Sequence, residues 1–426
     1  MSKSVIILLK GIGLFLLAVC SFGFALYVRT EWYDFEEPSS FAGRVFYNPY
    51  ADWNGRSGMM CNFHAHAECW SGLTNGKGSA DEVLQRYDSL GYDVAGVSDY
   101  HRMTRPSHKY YEHGWGISKT HQLVLGATGI TWLDFPFFQN EHQKQFMIDR
   151  LSGANEGSVV VLAHPSLRGA YSEEDIAHLG GYHCFEAVNK LRKSLKLWDV
   201  ALSNGHSVFV LGSDDCHNYS NINDVGRCGT YVLTKNPTQQ SLNICLKTGR
   251  HFAVEFATNE DEAVKSRREK VRSRFPLTKI EVDSTMYLAN FNDTVTNVVL
   301  IGDHSDTLYK GVDLNEVSYV IPDSVTYVRM EYSTQEGHRV YLNPVFRTQN
   351  GELRSHHLGA VNLIKTTGYR IGIILLIILV WAWVFRNRYV KFIKKYRSNR
   401  GIPVFGGTPV YSRSRVVRGG YRIRYR

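Results

Sequence analysis

Two catalytic signatures are missing from these 426 residues: there is no HExxH and no GxSxG, so zincin-type proteolysis and serine hydrolysis have no support. Residues 71–79, SGLTNGKGS, contain Gly76 and Lys77 but lack the earlier glycine and the following Ser or Thr of a phosphate-cradling P-loop. No nucleotide-driven machine is indicated. Acidic residues are absent from Arg386 to Arg426, where 13 Lys or Arg fall. That absence locates the net charge of +9, because residues 11–385 hold 34 basic and 40 acidic residues, a net of −6. A uniformly basic, nucleic-acid-binding surface is therefore not expected, and nucleic acid enters only as a conceivable substrate. With 43% hydrophobic and 21% charged residues, the composition excludes a largely disordered or collagen-like chain, and the length fits two or three folded units.

Apolar runs mark both ends. From Val5 to Val28 only Lys10 interrupts the run, close to the roughly 20 residues a spanning helix needs. A second run, 371–385, is IGIILLIILVWAWVF between Arg370 and Arg386, with Trp381 and Trp383 toward its end, where aromatic rings favour the interface. Basic residues mark the cytoplasmic side, which predicts residues 29–370 outside and the tail inside, against anionic lipid headgroups. The rival readings are a cleaved signal peptide, with Ser21 and Gly23 before the cut, or a lipoprotein signal at Cys20, where Val19 fits poorly. Either still exports the centre of the chain. Six of the seven cysteines lie there, with 15 possible pairings and no spacing that selects one. Cys216 is open between metal ligand, disulfide half and small buried residue.

Between the ends, seven short apolar or β-branched runs alternate with helical stretches, which predicts parallel βα units in an open sheet or a barrel. They are 59–63, 94–97, 123–125, 159–163, 184–188, 208–211 and 230–233. Residues 259–274, NEDEAVKSRREKVRSR, place acids before bases and read as an exposed helix or linker. Residues 278–348 then alternate as small antiparallel β domains do. The expected organisation is a membrane helix at 1–28, a catalytic unit at 29–258, a charged helix at 259–276, a β domain at 277–350, a second membrane helix at 371–385 and a basic tail at 386–426.

Candidate ligands stand at the strand ends. His64 and His66 alternate onto one face after the first strand, so two imidazoles can converge on one metal or on neighbouring metals. Asp99 follows the second strand, His164 follows VVVLA, and Asp215 and His217 follow VFVL. In a parallel barrel the C-terminal strand ends share one mouth, so these distant residues would meet there.

The strings HAH, SDYH, AHP and GSDDCH, in that order across residues 57–255, resemble the PHP (polymerase and histidinol phosphatase) metallohydrolase family. KTGRHFAVEFA and YVRMEYSTQEGHRVYLNPVF are similar to the end of PHP proteins that carry an appended β domain. The resemblance implies an α/β fold, a distorted (β/α)7 barrel followed by a small antiparallel β domain. It also implies one to three divalent metal ions, zinc, manganese or iron. The metal ligands would be His64, His66, Asp99, His101, His164, Asp215 and His217.

Two strings depart from the family. Tyr100 occupies the histidine slot of its TDH string, with His101 one place later, and Thr131 stands where Gly-Ile-Glu would supply a bridging carboxylate. Asp134, His121 and His142 are candidate replacements, whereas His108 and His113 read as ordinary loop histidines and Glu186 as a carboxylate lining the mouth or paired with Lys190 or Arg192. The chemistry such ligands support is phosphoester hydrolysis by metal-activated water, with Asp215 catalytic and Arg102 and Arg168 as phosphate grips or plain surface ion-pair partners. The alternative is a noncatalytic metal-binding scaffold on a degenerate barrel.

Overall fold

Each of the seven apolar runs forms a strand in the computed structural model, which describes residues 2–53, 55, 58–104, 109–353 and 359–399. The chain forms two compact units, one through Ile371 and one from Gly372. In the first unit, besides the short peripheral strands Tyr33–Phe35, Val45–Tyr47 and Gly359–Val361, the strands are β1 Met59–Asn62, β2 Val94–Ala95, β3 Tyr110–His113, β4 Gln122–Leu125, β5 Val159–Leu162, β6 Cys184–Asn189, β7 Phe209–Ser213, β8 Cys228–Val232 and β9 His251–Glu255. There follow β10 Leu277–Asp283, β11 Met286–Ile301, β12 Thr307–Val320, β13 Tyr327–Ser333, β14 Arg339–Leu342 and β15 Val345–Thr348. Strand β3 carries no aliphatic run, only Tyr-Tyr-Glu-His, so hydrophobic patterning does not reveal it.

A distorted (β/α)7 barrel is expected, and among the described residues its strands form two sheets with no closed ladder. Five strands make one sheet in the order β3-β4-β5-β6-β7, antiparallel through β3, β4 and β5 and parallel from β5 to β7. The other sheet runs β10-β11-β13-β14-β9-β8-β1-β2, with β12 on β11 and β15 on β13. The seam between β7 and β8 shows why no ladder closes the circle. The Thr230 hydroxyl takes both the amide hydrogen and the carbonyl of Gly212, at 3.0 and 2.8 Å, so a side chain occupies the backbone groups that a ladder would use. A Cβ on Gly212 would sit 2.5 Å from the Gly229 carbonyl oxygen, so only glycine lets the two strands come this close.

Strands from residues 277–348 belong to the same sheet as β8 and β1, joined through the β9–β14 pairing of Phe252 with Leu342. Aliphatic strands such as β5, buried at every position, carry the core beneath the site. Helix α2, Ala80–Ser89, starts in a capping box between Ser79 and Glu82, and α3, Glu141–Ala154, in one between Asn140 and Gln143. Glu173–His178, Leu195–Ser203 and Gln239–Lys247 are α4, α5 and α6. The charged segment forms α7, Val264–Val271, but Arg267 departs from the exposed helix expected there: it is fully buried, donating to the carbonyls of Ile222, Val225 and Gly226 and to Glu262.

Helix α1, Lys3–Leu26, and α8, Leu363–Asn399, are each long and apolar enough to cross a membrane, over 3–29 and 363–386. In the second unit α8 continues with its apolar side chains exposed and Arg386 lying over Trp383. The seven cysteines are free, so none of the 15 pairings is formed. The basic tail from 400 onward and His108 lie outside the described residues.

Candidate metal centre

The HAH and DDCH segments are held together by backbone. Ala65 pairs with Cys216 in a parallel bridge, and the His66 amide donates to the Cys216 carbonyl at 2.8 Å. This register sets His64 and His66 opposite Asp215 and His217. Cys216 between them is buried and packs with the apolar core, and burial pushes its thiol up, so of its three readings the small buried residue holds. The first aspartate of the pair serves the backbone instead. Asp214 accepts amide hydrogens from Gly226, Arg227 and Cys228 and the Tyr87 hydroxyl, fixing the loop that follows the site.

Ligand atoms then crowd into one small volume. His64 Nε2 lies 3.2 Å from His66 Nε2 and 3.2 Å from Asp215 Oδ1. His66 Nε2 lies 3.3 Å from Asp215 Oδ1 and 3.2 Å from Glu112 Oε2. Glu112 Oε1 is 2.7 Å from His121 Nδ1 and 3.2 Å from His164 Nε2. Four overlapping groups have the spacing of metal ligands: His64, His66 and Glu112; His64, His164 and Asp215; His66, Asp215 and His217; and Glu112, His121 and His164. All but the half-buried His217 are buried. His164 and Asp215 both adopt positive φ, 29° and 49°, a strained backbone at the points where these side chains turn inward.

Protonation makes this crowding informative. Glu186 Oε1 accepts from His64 Nδ1 at 2.9 Å and from the Ser213 hydroxyl, while its Oε2 accepts the His164 amide at 2.7 Å. That contact puts a proton of His64 on Nδ1, and its Nε2 faces another imidazole nitrogen and two carboxylates. Lone pairs that converge repel unless a cation sits among them. Four atoms bonded to one tetrahedral ion at about 2.0–2.1 Å are roughly 3.3 Å apart, the spacing found here. His66 Nδ1, His121 Nε2, His164 Nδ1, His217 Nε2, Glu112 Oε2 and Asp215 Oδ1 are buried without a well-formed hydrogen bond. These residues fit a divalent ion, and the Glu186–His64 contact is the carboxylate–imidazole support that metal sites use.

Without an ion the carboxylates draw protons to the imidazoles instead: against burial, Glu186, Asp215 and Glu112 hold His64 well above the usual histidine range. Burial by itself would raise the Asp215 carboxyl, but His64, His66, His164 and His217 around it hold it below the usual range. Glu112 is likewise held well down against burial by His121 and His64. Burial opposes protonation of His66, yet Asp215 and Glu112 bring it up to about 9. Burial leaves His121 and His217 lowered.

Asp99 and His101, expected as ligands, lie outside all four groups. Asp99 is spent on backbone and loop: Oδ1 accepts the Ala67 amide at 2.9 Å and Oδ2 the Thr104 hydroxyl at 2.7 Å. His101 donates from Nδ1 to the Thr131 carbonyl at 3.0 Å and accepts the Gly114 amide on Nε2 at 3.1 Å, so neither nitrogen is free for a metal. Tyr100, in the histidine slot, stacks on His66 at 4.8 Å and meets Glu112 through its hydroxyl. Of the candidate replacements only His121 joins the cluster. Asp134 caps the amides of Trp115, Gly116 and Phe135, and His142 packs on Trp32. Arg102 and Arg168 are exposed and form no ion pair among the described residues.

Glu112 is the member sequence reasoning missed. Its one signal is a lone carboxylate between two tyrosines and a histidine, in a strand buried at all four positions. It supplies a carboxylate to the cluster while Thr131, at the expected bridging place, offers its carbonyl to His101 instead. His113, read as a loop residue, lies on the same strand, bonded to Gln122 and to the Leu133 carbonyl.

No family model and no curated protein matches the chain. Among solved structures, a two-domain protein from Bacteroides vulgatus, described as containing a predicted PHP-like metal-dependent phosphoesterase, aligns at 13% identity with a TM-score of 0.37. The alignment covers 77% of this chain and 99% of that one. So distant a likeness assigns no residue a role.

Proposed function

We propose that the chain is a membrane-anchored, metal-dependent phosphoester hydrolase whose centre lies on the extracytoplasmic side. The observation that carries the reading is the convergence of His64, His66, Glu112, His164 and Asp215, with buried atoms left unsatisfied. A divalent ion there would make bound water acidic enough to serve as a nucleophile near neutral pH and would neutralise charge on phosphoryl oxygens. Glu186 keeps His64 in the tautomer that turns Nε2 inward, and Asp215 presents an ionised oxygen between His64 and His66. Arg102 and Arg168 are free to pair with phosphate. Positive-inside topology places both basic ends in the cytoplasm.

The test is elemental analysis of the purified full-length chain in detergent, together with turnover of p-nitrophenyl phosphate and bis-p-nitrophenyl phosphate. Stoichiometric metal with hydrolysis is the expected result. Stoichiometric metal without turnover of either ester leaves a binding scaffold instead, and absence of metal removes the proposal.

A further inference from the structure

The half-exposed tryptophans outside the two apolar helices gather, among the described residues, at one place. Trp70, Trp115 and Trp132 lie on loops beside the centre, with Ile117 and Phe138 at 63% and 81% exposure on the same loop system. Segments 115–118 and 132–138 are zipped together: the Ile117 amide donates to the Pro136 carbonyl at 3.1 Å, and the Ser118 hydroxyl to the Phe137 carbonyl at 2.7 Å.

The zipped loops sit on the end of α1. Phe137 packs on Phe24 with ring centroids 4.9 Å apart, and a Cβ on Gly23 would lie 2.9 Å from its ring. The Tyr27 hydroxyl donates to the Phe138 carbonyl at 2.8 Å and accepts the Phe137 amide at 3.1 Å. The first turns of α8 meet the same exit, Arg370 donating to the carbonyls of Arg29 and Thr30 at 3.3 Å. Helix α1, able to cross a membrane, therefore leaves the folded unit beside this aromatic patch.

The same patch borders the centre. Trp132 stacks on His101 at 5.5 Å and meets Trp70 at 5.6 Å, and the Trp70 indole donates to the carbonyl of Tyr100, whose ring lies on His66. The Trp115 indole is bonded to the Trp132 carbonyl at 3.2 Å. With these two N–H groups satisfied internally, the rings can leave water without an unpaired donor.

We infer that the loops carrying Trp115, Ile117, Trp132 and Phe138 rest in the lipid headgroup region, and that the centre acts there on the phosphate ester of a membrane lipid. Continuity with α1 selects a bilayer as the occupant, because any surface beside the exit of a spanning helix is presented to the interface. The inference rests on the phosphoesterase reading of the centre and on α1 as a membrane span. In the reaction a water oxygen bonds to phosphorus as the phosphorus–oxygen bond to the lipid alcohol breaks, and a proton passes to the departing alkoxide.

The full-length chain in phosphatidylcholine nanodiscs tests this with two readouts. Tryptophan emission is measured with bromine-labelled acyl chains, comparing the native chain with Trp115→Phe/Trp132→Phe, which retains the background from Trp381 and Trp383. The expected result is a clear fall in quenched emission in the variant; an unchanged quenched amplitude overturns the docking. With manganese or zinc supplied, nanodiscs containing phosphatidate or phosphatidylglycerol are compared with glycerol 3-phosphate and glycerophosphoglycerol. Turnover should favour a lipid ester, and Ile117→Ser/Phe138→Ser should lower lipid turnover about tenfold while leaving soluble turnover in place. Equal or greater turnover of the soluble esters overturns the lipid substrate. If quenching falls as expected and no ester reacts, the phosphoesterase reading fails while the docking surface stands.

Discussion

Two neighbouring histidine clusters treat their polar atoms in opposite ways. In the first, which gathers around His64 with ligand-atom separations of 2.7–3.7 Å, His66, His121, His164, Glu112 and Asp215 leave buried nitrogens and oxygens without hydrogen bonds. In the second, His101 and His113, with ring centroids 4.9 Å apart, have all four ring nitrogens bonded to backbone or Gln122, and Asp99 and Asp134 are bonded to amides. Tyr100 and His101 are adjacent in the chain, yet one faces the first cluster and the other completes the second. The contrast teaches that buried histidines mark a candidate metal site where a ring nitrogen faces other ligand atoms, and an ordinary structural role where both nitrogens are bonded to backbone or amide groups.

Replacing members of the first cluster should break this contrast most sharply. His64→Ala or Asp215→Asn is expected to remove bound metal, read by elemental analysis, and to lower turnover by at least about a hundredfold. Glu112→Gln should act in the same direction, since the carboxylate is shared by His66, His121 and His164. Retained metal in all three variants would place the ion elsewhere. Glu186→Gln is the next step down: it cannot accept the His64 proton as strongly, and metal affinity should weaken roughly 10–100-fold in a chelator competition.

His101→Gln should leave metal content alone and cost about 1–3 kcal/mol of stability in urea unfolding, by stranding the Thr131 carbonyl or the Gly114 amide. If that variant instead loses metal, the two clusters are one. The smallest effect is in pH. Burial, then the neighbouring His113, brings His101 down to about 4 from an ordinary 6.5, so protons bind the unfolded chain first. The stability contributed by the neutral ring is complete above about pH 6.5 and is lost as pH falls toward about 4. His101→Gln should therefore flatten part of the decline in urea midpoint across that window, and a parallel decline in both proteins would show that His101 does not titrate there.

Much of the cluster was legible because its members close apolar strand runs. His64 and His66 follow MMCNF, His164 follows VVVLA and Asp215 follows VFVLGS with one aspartate between, each a local signal of strand and then inward turn. Glu112 was not legible, because β3 has no aliphatic run and joins its neighbour antiparallel, outside the parallel βα pattern. Asp99 and His101 were read as ligands since the string SDYH specifies residue types but not which nitrogen or oxygen is already bonded. The open seam was hidden for a similar reason: a threonine hydroxyl between β7 and β8 leaves no trace in hydrophobic periodicity.

What the sequence by itself determined was periodicity and order: apolar helices at both ends, alternating strands and helices between them, and histidines at the strand ends, all written in neighbouring residues. The tertiary structure alone decided which polar atoms find partners, since that depends on groups brought together from as far apart as the side chains of His64 and Glu186 or the backbone of Ala65 and Cys216. A buried nitrogen's role is set by what lies within about 3 Å of it in space, and pairing of that kind is not encoded by spacing along the chain.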